Sequence, residues 1–261
     1  MDQDQRRAAC GLLYQHWSDG TQLEELPAQL RPKDRAEAYK VQAYIEDFTA
    51  QPLYGWKIAA TSINGQRHIG VDGPLAGRIL AERVIADGGD FVLGSNLMRV
   101  AELEFAFRMA KDLVPREEPY SQDEVLASVA SLHPAIELPD SRFIHFERVG
   151  LAQLVADNAC AHRFVLGPAT EQNWRVLDLA AHPGQVFRNG ELVEQGRGAN
   201  VLGDPRIALT WLANELSRHG MTLKAGQVVT TGTCVKPLAI AVGQRIEGDL
   251  GILGKVSVSI T

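Results

Sequence analysis

The sequence predicts an α+β protein, a strand-rich mixed body with flanking helices behind a small helical N-terminal region. Helical periodicity dominates residues 1–50, and beyond Pro52 the chain breaks into short β-type runs separated by Gly, Asp and Pro. These strands far outnumber βαβ units, which argues against a doubly wound sheet.

In residues 5–17, Ala8, Leu12, Leu13 and Trp17 recur near helical spacing, and Ser18-Asp19-Gly20 breaks the run. A second helix is expected over 33–48, where Ala36, Tyr39, Val41, Tyr44, Ile45 and Phe48 are apolar; Pro52 ends it. We therefore divide the chain into a helical region, 1–52, and a mixed β domain, 53–261. Strands are expected at 55–59, 78–84, 97–108, 135–138, 165–166, 176–179, 185–188, 191–194, 228–231, 239–242, 244–248 and 254–260. Asn189-Gly190 between two of these runs signals a type I′ hairpin. Helices are expected at 121–132 and 151–156. Another begins at Asp204-Pro205 and ends before Gly220, with Asp as N-cap, Pro in the first turn and Gly beyond the end.

The chain has 261 residues, 45% of them hydrophobic, enough for a substantial core. A net charge of -6 without runs of like charge argues against a nucleic-acid partner. The N-terminal MDQDQRRAACGLLYQHW lacks the apolar core of a signal peptide, and no stretch approaches the roughly 18 apolar residues of a membrane span. Cys10, Cys160 and Cys234 are too few and too far apart for a disulfide framework or a zinc knuckle, which fits reduced thiols in a cytoplasm.

The segment Ala101-Glu102-Leu103-Glu104-Phe105-Ala106-Phe107 carries the most chemistry. Strand alternation places Ala101, Leu103, Phe105 and Phe107 on one face and Glu102 and Glu104 on the other, with Cα atoms roughly 6.5–7 Å apart. An isolated E-x-E is most often an amphipathic surface strand. Here Met98, Val100 and Ala106 share the glutamate face, so like charges would sit side by side in an enclosed place, where a bound cation is the usual compensation. Glu137 interrupts an apolar run and, with Glu102 and Glu104, would complete a three-carboxylate site for a hard cation. Lys57 lies in the apolar run at 54–62. It is either a surface strand lysine or a clamp for a substrate carboxylate, and a lowered pKa would let it transfer protons. The glycine-rich segment at 196–203 lacks the spacing of a dinucleotide fingerprint. The Thr230-Thr231-Gly232-Thr233 segment could present N–H and hydroxyl groups to an anion, or simply turn. His133, His182 and Cys234 are read as structural.

In order along the chain stand GWKIAATS (55–62), GVDGP (70–74), AELEFAF (101–107), AIELPDSR (135–142), DNACAHRFVLG (157–167), the long segment 188–220 and KAGQVVTTGT (224–233). Together they resemble the 2-oxopent-4-enoate hydratase and 4-oxalocrotonate decarboxylase branch of the fumarylacetoacetate hydrolase superfamily. The resemblance implies a mixed β-sandwich or roll of that superfamily's C-terminal-domain type. It implies Mg²⁺ or Mn²⁺ held by Glu102, Glu104 and Glu137, Lys57 near the substrate, and Gly232 and Thr233 contacting a substrate carboxylate. Typical hydratases carry an acidic residue after the proline of V-D-x-P, and the decarboxylases Ile-Tyr-Gly. This chain reads Pro74-Leu75-Ala76-Gly77. Leu75 is then expected to wall the substrate's tail. Asp72 becomes the nearest acid, as a catalytic group or a turn cap.

The expected function is a metal-dependent lyase that adds water to a 2-hydroxydienoate in aromatic catabolism, acting as a cytoplasmic homo-oligomer. The alternatives are a 4-oxalocrotonate-type decarboxylase, an acylpyruvate C–C hydrolase, disfavoured by the lack of a His-Glu dipeptide, and a non-catalytic 2-oxo-acid-binding protein.

Overall fold

The computed structural model describes residues Met1–Thr261. Helix α1 spans Gln3–Asp19; Asp2 caps it in a reciprocal capping box with Gln5, and Gly20 ends it at φ 64°. Helix α2, Arg35–Gln42, runs on into a tighter 3₁₀ segment, Ala43–Phe48, so the single helix expected over 33–48 is two. No helix is long and apolar enough to cross a membrane.

There follow β1 (Gly55–Ala59), α3 (Ile63–His68), β2 (Leu75–Ile79), β3 (Val84–Ile85), β4 (Asp90–Phe91), β5 (Val100–Met109), α4 (Gln122–Ala127), β6 (Val129–Leu138), α5 (Leu151–Ala156) and β7 (Arg163–Leu166). The chain continues through β8 (Pro183–Arg188), β9 (Glu191–Arg197), α6 (Pro205–Arg218), β10 (Val228–Thr233), β11 (Leu238–Ala239), β12 (Arg245–Asp249) and β13 (Lys255–Ile260).

Several expected elements shift. The strand placed at 78–84 lies earlier, as β2, because Leu75–Ile79 pairs with β1. The helix placed at 121–132 stops at Ala127; Val129 onward joins the ladder with β5. The strand at 176–179 is absent: Trp174–Val176 forms a 3₁₀ turn. Helix α3, capped by Ser62, was not anticipated. The Asn189-Gly190 hairpin joins β8 to β9 with φ of 52° and 86°, as a type I′ turn demands.

Two mixed sheets form the body. One runs β2-β1-β10-β5-β6-β7-β3, with β11 added on β5; the other runs β4-β13-β12-β8-β9. Leu103 of β5 packs between the sheets, where a Cβ on Gly248 would come within 2.4 Å of it. That bare glycine lets the layers approach. The main core holds 56 buried residues and is continuous with Ala9, Leu13 and Trp17 of α1 and Tyr39 of α2. Region 1–52 therefore shares one core with the β body. It also grips β2 directly: Gln42 Nε2 donates to Ala76 O at 2.9 Å and to Val155 O at 2.7 Å.

Candidate metal and substrate site

The face of the larger sheet turned away from the main core carries the charged residues. Register places Glu102 of β5 opposite Glu137 of β6, and Glu104 opposite Ala135. Directly opposed antiparallel residues project to the same side, so three carboxylates converge. One oxygen from each lies within 4.8 Å of the others. On the same face, Lys57 of β1 is level with Thr230 of β10 and Gly77 of β2. Two strands separate β1 from β6, about 14 Å across a flat sheet. Lys57 Nζ nonetheless lies 2.9 Å from Glu137 Oε1, because the sheet curls around this face.

Glu104 is fully buried, and its Oε2 accepts from Gly232 N–H at 2.7 Å and from the Thr230 hydroxyl. Its Oε1 has no hydrogen-bond partner. Neither oxygen of Glu137 has a donor in hydrogen-bond geometry either, the Lys57 contact being an ion pair at an unfavourable angle. Glu102 alone keeps partial exposure and marks the open side.

The electrostatics follow from this crowding. Burial, then the charge of Glu137, pushes Glu102 up to about 7, with Lys57 opposing. Burial and the two neighbouring carboxylates hold Glu104 well above the ordinary range. Burial also raises Glu137, against the pull of Lys57. For Lys57, burial disfavours the charge, but Glu137 and Glu102 outweigh it and its pKa lies above the ordinary value. The lowered pKa that proton transfer by Lys57 would need is not met: its neighbours favour the ammonium. Glu104 and Glu137 are buried and Glu102 partly so, and when all three are ionised one ammonium leaves two negative charges uncompensated. With three unpartnered carboxylate oxygens, the residues fit one divalent, oxygen-seeking cation.

The remaining expected site residues lie elsewhere or are otherwise engaged. Asp72 is a correction: its carboxylate is 87% exposed and pairs with Arg35 at 3.4 Å, so the turn carries it out to α2 and away from the cluster. Leu75 is 1% exposed and packed into the main core, which leaves it no surface to offer a ligand. Gly232 does reach the cluster, but its N–H is spent on Glu104. Its φ is 97°, and a Cβ there would lie 2.1 Å from Thr61 Oγ1, so the position requires glycine. Thr233 stands opposite Glu104 in register but donates its hydroxyl to Val235 O at 2.8 Å. Sequence reasoning missed two groups. Thr230 lay in the segment singled out but was given no role, and the Asp157–Ala161 loop, whose Ala159 carbonyl accepts from Lys57 Nζ at 2.9 Å, lay in a segment that carried the resemblance but was likewise given none. A cavity of about 600 Å³, lined by Glu46, Tyr54, Trp56, Arg78 and Lys224 among others, includes none of Glu102, Glu104 and Glu137.

With the fold and cluster in place, comparison with known proteins assigns the class. Residues 80–261 match the family described as fumarylacetoacetate (FAA) hydrolase C-terminal. The chain belongs to this family. It is 33% identical over 255 residues to the 2-keto-4-pentenoate hydratase 2 of Dechloromonas aromatica (strain RCB), covering 96% of this chain and 95% of that protein. It is 31% identical over 235 residues to the 2-hydroxyhexa-2,4-dienoate hydratase of Comamonas testosteroni, covering 86% of each chain. The 4-oxalocrotonate decarboxylase of Pseudomonas putida G7, in a structure complexed with magnesium and adipate, superposes with a TM-score of 0.89 at 26% identity, over 100% of this chain and 99% of that one. The chain is thus an enzyme of the lyase type within this family.

Proposed function

We propose that the protein hydrates a 2-hydroxydienoate with an uncharged tail, using a divalent cation held by Glu102, Glu104 and Glu137. The observation that carries the reading is the triad itself: three converging carboxylates, unpartnered oxygens on Glu104 and Glu137, and the Lys57 ammonium 2.9 Å from Glu137. A bound Mg²⁺ or Mn²⁺ would supply Lewis-acid stabilisation of negative charge on the 2-oxygen of the substrate. The chain's own groups do the rest. Thr230 and Gly232 fix one oxygen of Glu104 and leave the other free for the ion. Lys57, held charged, donates to a substrate carboxylate or enol oxygen and stabilises the charge that builds there. The burial of Lys57, Glu104 and Glu137 lowers the local dielectric, which strengthens both interactions.

The uncharged tail is supported by the names of the relatives: pentenoate and hexadienoate each carry one carboxylate. The likeness to the decarboxylase favours a second reading, loss of CO₂ from a 2-oxo dicarboxylate. Purified protein, stripped of metal and reloaded with Mg²⁺ or Mn²⁺, distinguishes them. Consumption of 2-hydroxypenta-2,4-dienoate should exceed CO₂ release from 4-oxalocrotonate, and the reverse order would replace hydration with decarboxylation. Activity on neither, with no metal uptake by calorimetry, would leave a 2-oxo-acid-binding protein. The proposed setting is a cytoplasmic homo-oligomer, which the three unpaired, buried cysteines suit as regards compartment.

A further inference from the structure

The loop that covers Lys57 adopts a backbone that L-residues avoid. Asn158, Ala159 and Cys160 have φ of 56°, 50° and 61°, three left-handed residues in a row. They close successive turns, Cys160 N–H to Asp157 O at 3.2 Å and Ala161 N–H to Asn158 O at 3.0 Å. Non-glycine residues visit this region singly, so a run of three persists only when its surroundings impose it.

Two anchors impose it. On one side, the buried Asp157 carboxylate accepts from Ser141 Oγ at 2.8 Å and from Arg142 N–H at 3.1 Å, and it pairs with the Arg142 guanidinium. On the other, the 2%-exposed Asn158 side chain grips β2, the edge strand of the larger sheet. Its Oδ1 accepts from Arg78 N–H at 2.6 Å and its Nδ2 donates to Arg78 O at 2.8 Å, the pair of bonds a neighbouring strand would make. Gly77 makes room, since a Cβ there would lie 2.3 Å from Asn158 O and 3.1 Å from Lys57 Cδ.

The outcome of this construction is the direction of one carbonyl. Ala159 O accepts from Lys57 Nζ at 2.9 Å, and Glu137 Oε1 lies at the same distance as an ion pair. An ammonium has three N–H donors. The carbonyl takes one, and the Glu137 carboxylate lies against the ammonium as an ion pair, so donor capacity remains for a substrate. We infer that Asn158 is a positioning residue: by clamping the peptide groups of Arg78 it holds the left-handed turn that, through Ala159 O, aims the free N–H donors of Lys57 at the substrate. The inference rests on the reading of Lys57 as a substrate contact.

A double-mutant cycle on the Mg²⁺-loaded enzyme, assayed with 2-hydroxypenta-2,4-dienoate, tests it. Asn158→Ala should lower kcat about 100-fold, the order expected for misplacing a reacting group by 1 Å. Its Mg²⁺ affinity by calorimetry should stay within about twofold of wild type, because the carboxylates do not depend on the loop. Adding Lys57→Met should then cost nothing beyond Lys57→Met alone. A double mutant whose loss is the product of the single losses, or an Asn158→Ala enzyme that keeps its kcat, overturns the inference. Loss of Mg²⁺ affinity in parallel with kcat would mark Asn158 as merely structural and also overturns it. If Asn158→Ala unfolds in a thermal melt, Asn158→Asp carries the same cycle. It tolerates left-handed geometry and keeps the acceptor for Arg78 N–H, but sets a carboxylate against Arg78 O. Failure of both to fold overturns the positioning role as well. Full activity of Lys57→Met by itself sinks the earlier reading of Lys57, a result separable from every Asn158 outcome.

Discussion

The two faces of β5 are buried by opposite chemistry. Ala101, Leu103, Phe105 and Phe107 are at most 3% exposed and sit between the sheets among other apolar groups. One residue out of phase, Glu104 is 0% exposed as well, among charges. The first face stabilises the fold by leaving water. The second works against it until its charges are compensated. Equal burial on one strand therefore reports two different things, and substitutions on the two faces should behave in opposite ways.

The largest expected effect tests the core face. Phe105→Ala should destabilise the protein by about 3–5 kcal/mol in urea unfolding while the folded fraction keeps its Mg²⁺ affinity. A fall in metal affinity at constant fold would mean the two faces are coupled. Next comes the charged face. Partners behind a metal ligand are worth about 10–100-fold, so Glu104→Gln should cost at least about 100-fold in Mg²⁺-dependent turnover. It should leave the metal-free protein no less stable, since a buried charge is removed. Destabilisation comparable to Phe105→Ala would erase the contrast. Lys57→Met should lower kcat by about 100-fold, as expected for loss of a positioned donor. Activity within a few-fold of wild type in steady-state kinetics would assign Lys57 to structure. Thr230→Val removes one bond to Glu104 without changing shape, and calorimetry should record about a tenfold loss of Mg²⁺ affinity.

The smallest effect concerns a buried titratable group that no opposite charge compensates. His162 Nδ1 accepts from Trp17 Nε1 at 2.7 Å, so this nitrogen must be unprotonated. Burial, then the charges of Arg163, Arg142 and Arg83, pushes its pKa down to about 2. The sign follows. Below the ordinary value of 6.5 the unfolded chain takes up a proton that the folded chain refuses, so this contribution to stability is lost as pH falls from 6.5 toward 2. His162→Gln keeps an acceptor for Trp17 and removes the titration. Its thermal midpoint should fall less than that of wild type between about pH 7 and pH 5. An equal fall in both would place the acid sensitivity in other groups.

Strand alternation was sufficient to separate Leu103, Phe105 and Phe107 from Glu102 and Glu104. Local turn chemistry was sufficient for the Asn189-Gly190 hairpin and for the Asp204 cap of α6, because each depends on neighbours within a few residues. The region from Pro74 was less legible. The boundaries of β2 depend on pairing with β1, and nothing local reveals that Leu75 turns into the core while Asp72 stays in solvent beside Arg35.

The sequence by itself determined which residue types could hold a cation and on which side of β5 they stand, since the pleat alternates whatever surrounds it. Only the tertiary structure decided the rest. Register set Glu137 opposite Glu102. The curl of the sheet brought Lys57 to Glu137 across two intervening strands. Gly232 N–H turned inward to Glu104. A left-handed turn closed over Lys57, anchored by an asparagine about 100 residues further along the chain. Each of these depends on partners distant in sequence, whose positions are settled by the packing of whole sheets and loops.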